Sequence, residues 1–163
     1  MSGISMRVDV QDNAIRHELT RLIALGKNPA EAMRDIATYG ENSTRERFKL
    51  QIDPDGNRWK PSLRVQLRGG RTLTKDGHLG NSITSRSSGQ VAEWGSNRIY
   101  AGIQHFGGVI KPKAGGSLRF RLASGAFVTA KEVTLPARAY IGVNDENGAD
   151  ILDLLQHRVE GRR

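Results

Sequence analysis

An α+β fold is predicted, with helices at the N-terminal end, a central antiparallel β-sheet that includes a hairpin, and one helix at the C-terminal end. Three observations predict it. Apolar residues recur at steps of three and four between residues 12 and 50, and again after residue 144. Between those stretches the pattern changes to alternate-residue spacing broken by glycine and serine turns. No internal repeat, low-complexity tract or linker divides the chain, so residues 1–163 read as a single domain long enough to bury a core.

Ile4, Met6, Val8 and Val10 alternate with polar neighbours, the period of a half-buried strand. Asp12 stands at an N-cap position, and Ile15, Leu19, Leu22 and Ile23 follow at helical spacing until Gly26 offers a left-handed stop. A second helix begins at Asn28-Pro29-Ala30-Glu31, where Asn28 caps, Pro29 suits the first turn and Glu31 reaches back. Its stripe is Met33, Ile36, Ala37, Gly40, Thr44 and Phe48, and it runs to about Leu50. Gly40 costs such a helix up to ~1 kcal/mol against alanine unless close approach of another helix offsets that loss.

Turn chemistry is dense from Ile52 to Trp59. Asp53, Asp55 and Asn57 suggest an oxygen-ligand site for a hard cation, but glycine and glutamate are misplaced for a calcium loop, so a tight turn is predicted. Residues 61–80 read as a basic, glycine-rich loop with at most a short helix near Leu63 to Leu67. Ser82–Ser87 and Gln90–Gly95 are expected as two strands about Ser88-Gly89. Leu118, Phe120 and Leu122 alternate with Arg119 and Arg121, Ala123-Ser124-Gly125 turns the chain, and Phe127 to Leu135 continues as strand. The expectation is a hairpin whose apolar face, Leu118, Phe120 and Leu122, lies in the sheet core. Asn144 then caps a last helix, with Asp145 and Glu146 at its positive end and Ile151, Leu152, Leu155 and Val159 as its stripe.

Composition narrows the function. Net charge is +8, the isoelectric point is about 10.3 and mean hydropathy is -0.51, which suits a partner of acidic surface such as nucleic acid. Arg58, Lys60, Arg64, Arg68, Arg71 and Lys75 fall in a stretch without an acid and form a candidate partner or DNA-facing surface. Asp145, Glu146, Asp150 and Asp153 gather near the other end and form a candidate subunit-contact surface. Opposite patches on one molecule suit head-to-tail association. No apolar run approaches the ~18 residues of a membrane span, and the first residues lack the pattern of a secretory signal, so a cytoplasmic protein is expected. With no cysteine there is neither disulfide nor thiolate metal site.

Catalytic patterns are weak. Asp76, His78 and Ser82 lie close in sequence, but no G-x-S-x-G element accompanies them, and a hydrolase using His78 and Ser82 is a remote rival. His17, His78, His105 and His157 are scattered, without helical zinc spacing, and neither phosphate-binding glycine motif occurs. Neither catalytic residues, cofactor nor metal are therefore expected. Trp59 lies in the basic segment and offers base stacking, with a buried indole the favoured reading. In YAGIQHFGG, Tyr100, Ile103 and Phe106 share a helical face, and His105 precedes a Gly107-Gly108 stop, which makes the histidine a structural group of a last turn.

Three local patterns occur in order: Leu73 to Ile83 with Gly77, Leu79 and Ser82; Gly95 to Gly108 with Tyr100, Ala101, His105 and Gly107; and Leu135-Pro136-Ala137-Arg138-Ala139-Tyr140-Ile141-Gly142. Together they resemble the phage virion morphogenesis proteins, the tail-completion family of Mu-like and P2-like phages and prophages, over roughly residues 8 to 160. The chain departs from that pattern at Asp76, at Gln104 between Ile103 and His105, and at Tyr140-Ile141. The resemblance implies a fold similar to tail-terminator and neck proteins and a non-enzymatic assembly role in tail completion and head–tail joining.

It further implies a homo-oligomeric ring, commonly a hexamer, at the head-proximal end of the tail. Its partners would be the tail tube and head or neck proteins, with non-specific contact to packaged DNA and none to membrane. The location implied is the virion tail, and the host cytoplasm during assembly. Gly77, Leu79, Ser82, Tyr100, His105, Gly107, Pro136 and Arg138 are the family-signature positions, with Tyr100, Phe106, Pro136 and Arg138 expected to order the junction of sheet and helices. The alternative from another class is a basic DNA-binding module.

Overall fold

A computed structural model of the protein describes residues 15–17, 19–20, 29–113, 115–122 and 124–159. The strand expected over residues 4–10 lies outside them, and of the first expected helix only residues 15–17 and 19–20 are described, all helical. Helix α1 spans Pro29–Leu50 and α2 spans Leu63–Arg68. The short α3 covers His78–Asn81, followed by strands β1, Ile83–Ser88, and β2, Val91–Ser96. Next come α4, Ala101–Phe106, and strands β3, Gly108–Ile110, β4, Leu118–Arg121, β5, Phe127–Ala130, and β6, Val133–Leu135. The last helix, α5, spans Asp145–Val159.

Mixed α+β architecture is thus observed, with the antiparallel strands in three two-stranded ladders: β1 with β2, β3 with β6, and β4 with β5. α1 reaches both cores because its buried stripe, Arg47 apart, is apolar or small. Ala32, Met33 and Ile36 join Ile15, Ile151 and Leu155 in one core, while Phe48 joins Trp59, Leu79, Ile83, Trp94, Ala101, Tyr140 and Ile141 in a second. Val143 packs against both clusters and so links them.

Gly40 is where α1 meets β2. A Cβ built there would lie 2.4 Å from Trp94 Cδ2, so the indole occupies the space a side chain would need. A close neighbour therefore exists, but it is a strand residue and not the second helix expected from the sequence. At α5, Asn144 Oδ1 accepts from the Asn147 N–H at 2.8 Å, the N-cap predicted from sequence.

Two expectations need correction. Phe127 to Leu135 is not one strand: it breaks between Ala130 and Val133 into β5 and β6, which pair with different partners. Leu118, Phe120 and Leu122 are not in the core either; Leu118 and Leu122 are half-buried and Phe120 is exposed. Alternation correctly gave the two faces of this hairpin, but nothing else in the described fold packs substantially on it.

Candidate functional site

The three signature segments meet in space. α4 sits against the residues after β6 because the Arg138 N–H donates to the carbonyls of Gln104 and His105, both at 3.1 Å. Tyr140 Oη donates to Ala101 O at 2.9 Å, and the Tyr140 N–H donates to His105 Nδ1 at 3.3 Å. The ring of Tyr140 lies edge-on to His105, with centroids 4.9 Å apart, and tilted against Phe48 at 5.0 Å. Burial raises the Tyr140 hydroxyl to about 12, keeping it a donor, and burial lowers the pKa of His105, keeping it a neutral acceptor.

Gly107 closes α4 at φ +71, and a Cβ there would lie 2.5 Å from Ala137 N, so only glycine allows the approach. Leu79 is buried in the second core. Ser82 Oγ donates to Leu79 O and is hydrogen-bonded to Ser96 Oγ, both at 2.7 Å. The serine is thus engaged with backbone and Ser96, while His78 is exposed. Gly77 holds the N-cap of α3 at φ +69. Pro136 is half-buried after β6. Arg138 is buried, donates from Nε to Lys60 O at 2.8 Å, and has a pKa lowered by burial.

Tyr100 and Phe106 do not sit inside this junction. Both are exposed, Phe106 at 64%. They belong instead to an outward apolar run with Ile99, Val109 and Ile110. Tyr100 also borders a cleft of about 220 Å³ lined by Arg64, Lys75, His78 and Gln104.

Trp59 takes the buried position, 6% exposed, with Nε1 donating to Ala139 O at 2.8 Å, so it offers no stacking face. The turn before it is closed by Asp53, whose Oδ1 accepts from the Asn57 N–H at 2.8 Å. Of the basic segment, Arg64 is held locally, donating to Arg71 O at 2.5 Å and Gly69 O at 3.4 Å. Arg58, Lys60, Arg68, Arg71 and Lys75 are exposed and form no ion pair among the described residues. Arg71 reaches a second cleft, about 600 Å³, beside Arg45 and Lys49.

The acidic group divides. Asp150 Oδ2 accepts from Tyr39 Oη at 2.6 Å, and burial together with that bond pushes the Tyr39 hydroxyl up to about 12. Asp153 faces His157 at 3.4 Å. Asp145 and Glu146 stay exposed.

Sequence reasoning missed the interior polar clasp formed by Arg47 and Asn147. Arg47 is buried on α1 and donates to Gly142 O at 2.9 Å, Tyr140 O at 3.2 Å and the Asn147 side-chain carbonyl. Asn147 Nδ2 in turn donates to Tyr39 Oη at 2.9 Å. Burial lowers the pKa of Arg47. A signal existed: Arg47 continues the Ile36, Gly40, Thr44 stripe at helical spacing.

Among the described residues no group of three or more His, Asp or Glu side chains is placed to hold a metal ion. No described helix is long and apolar enough to cross a membrane.

Residues 10–160 match the model of the phage virion morphogenesis family. The chain is 30% identical over 142 residues to the Mu-like prophage FluMu G protein 2 of Haemophilus influenzae, covering 87% of this chain and 86% of that one. It is 30% identical over 168 aligned positions to the putative capsid assembly protein G of Escherichia phage Mu, covering 96% of each. No solved structure matches it.

Proposed function

The chain belongs to the phage virion morphogenesis family, and from that premise we propose that it completes the tail and joins it to the head, as a ring at the tail's head-proximal end. A role in building the phage particle follows from the family itself. The ring, hexameric on this reading, binds the tail tube on one side and head or neck proteins on the other. It does so without catalysis or cofactor, and is carried into the virion tail.

One observation carries the reading. The signature residues His105, Gly107 and Arg138, together with Tyr140, serve to fasten α4 to the segment after β6, while large apolar side chains from Ile99 to Ile110 are left facing outward. A fold that buries its polar signature and exposes its hydrophobes is arranged for contact with other proteins. Light scattering and negative-stain imaging of the purified chain test the ring. A strict monomer at high concentration and in the presence of tail tubes overturns it.

The exposed cations Arg58, Lys60, Arg68, Arg71 and Lys75 support a second reading, a DNA-binding module. It requires duplex affinity that falls steeply with added salt.

A further inference from the structure

Between Gly108 and Leu135 the chain makes a single antiparallel excursion with two ladders: β3 on β6 at its base, and β4 on β5 at its tip. Ile110 pairs with Val133 and Leu118 with Ala130, so residues 111–117 on one strand stand against only residues 131–132 on the other. β4 and β5 pack substantially on each other alone among the described elements. A two-stranded hairpin is marginal in water by itself, and among the described elements none supplies the cover that would hold this one.

Its surface has two characters. The register puts Arg119, Arg121, Phe127 and Thr129 on one face. There the guanidinium carbons of Arg119 and Arg121 lie 5.1 and 5.9 Å from the centroid of the Phe127 ring, which is 65% exposed. The other face is Leu118, Phe120, Val128 and Ala130. The excursion as a whole carries Lys111, Lys113, Arg119, Arg121 and Lys131 against one acid, Glu132, which pairs with Lys111 at 3.3 Å.

A negative surface of the same chain complements it. Asn144 Nδ2 donates to Pro54 O at 2.6 Å, fastening the 53–57 turn to the start of α5. That bond draws Asp55 toward Asp145 and Glu146. All three are exposed, and none forms an ion pair among the described residues.

We infer that the β4–β5 arm of one copy docks on the Asp55, Asp145 and Glu146 surface of the next copy. The inference rests on the ring reading and names the contact that builds it. A positive arm with no substantial packing on other described elements, and a negative surface unpaired among the described residues, satisfy a head-to-tail contact that each copy makes twice, once with each element. Nucleic acid fits the cations less completely, because a phosphate backbone leaves the Leu118 and Phe120 face bare.

Charge reversal tests it. One chain carries Arg119→Glu and Arg121→Glu, the other Asp145→Lys and Glu146→Lys, with circular dichroism verifying the fold of each. Each variant alone is expected to associate about tenfold or more weakly than the unaltered chain by light scattering. An equimolar mixture restores the oligomer, since each reversed element meets a reversed partner. An unaltered chain that never associates overturns both the ring and this contact. An oligomer that survives both reversals overturns the contact alone. An arm variant that keeps its oligomer but loses salt-sensitive retention of duplex DNA overturns it in favour of nucleic acid.

The absence of cysteine supplies a second route that does not depend on charge. Arg121→Cys and Glu146→Cys placed in separate chains, mixed and oxidised, give disulfide-linked pairs when arm and surface meet. Failure to link beyond the level of an Arg34→Cys control overturns the contact.

Discussion

Gly40 on α1 and Trp94 on β2 fit together so closely that the indole fills the volume of the missing side chain, and a methyl group at Gly40 would lie 2.4 Å from ring atoms. Gly40→Ala would ordinarily strengthen a helix by about 1 kcal/mol. Here the ring must move within a packed core, at a cost of about 3 kcal/mol. The expected result is a net loss of about 2 kcal/mol, or roughly 4–8 °C in Tm by calorimetry. An unchanged or raised Tm would contradict the packing described at this crossing.

Arg47→Met should be more damaging still. It leaves the carbonyls of Tyr140 and Gly142 and the Asn147 amide without their shared donor. At about 1 kcal/mol for each unpaired acceptor the loss is about 3 kcal/mol, measured as a lower urea midpoint at constant slope. Asn147→Ala, which removes one of those partners and the N-cap's companion, is expected to lose less.

Stability should fall on acidification through His105. Its folded pKa is depressed below 6.5 by burial. The unfolded chain therefore takes up a proton at a pH where the folded chain does not, which favours unfolding. The contribution is fully present above 6.5 and is lost as pH falls through the folded value. Urea titrations between pH 7.5 and about 5 should show this decline, and His105→Asn, which keeps an acceptor for the Tyr140 N–H, should flatten it.

The outward cations separate the two functional readings. Arg68→Ala, Arg71→Ala and Lys75→Ala together leave the fold untouched, because these side chains have no ion pair among the described residues. On the assembly reading the triple variant forms the oligomer but reduces head–tail joining in an in vitro complementation assay. On the DNA reading it lowers duplex affinity and reduces the salt slope by about one for each phosphate left without its cation.

Much of the fold was legible because local chemistry decided it. α1 starts at Pro29 and ends at Leu50 as expected, with the cap expected at Asn28 lying outside the described residues; Asn144 caps α5, and the β1–β2 hairpin falls one residue from its predicted limits. Gly40 announced a close approach, but in place of the helix expected there stands a strand residue, Trp94, which lies far along the chain and leaves no local signal. The errors share a cause. Alternation at Leu118, Phe120 and Leu122 identifies a face but carries no information on whether another element covers it. Likewise Lys131 and Glu132, where β5 gives way to β6, have no breaker residue; the interruption comes from the longer opposing strand, which only pairing reveals.

The candidate surfaces were legible as charge and not as geometry. The sequence marked Asp145, Glu146, Asp150 and Asp153 alike, yet Asp150 is committed to Tyr39, and the bond between Asn144 and Pro54, which brings the turn carrying Asp55 to the start of α5, has no local signal. Arg47 was overlooked because an arginine on a helix ordinarily reads as solvated, and its three acceptors come from residues about a hundred positions later.

Gly107 presses on Ala137 where β3 departs and β6 returns. The direction of everything beyond is set at that pinch. Residues inserted or deleted past Ile110 would alter reach while the aim stayed constant. One protein plan is thus refitted to components of different girth by editing a short stretch against which no other described element packs substantially.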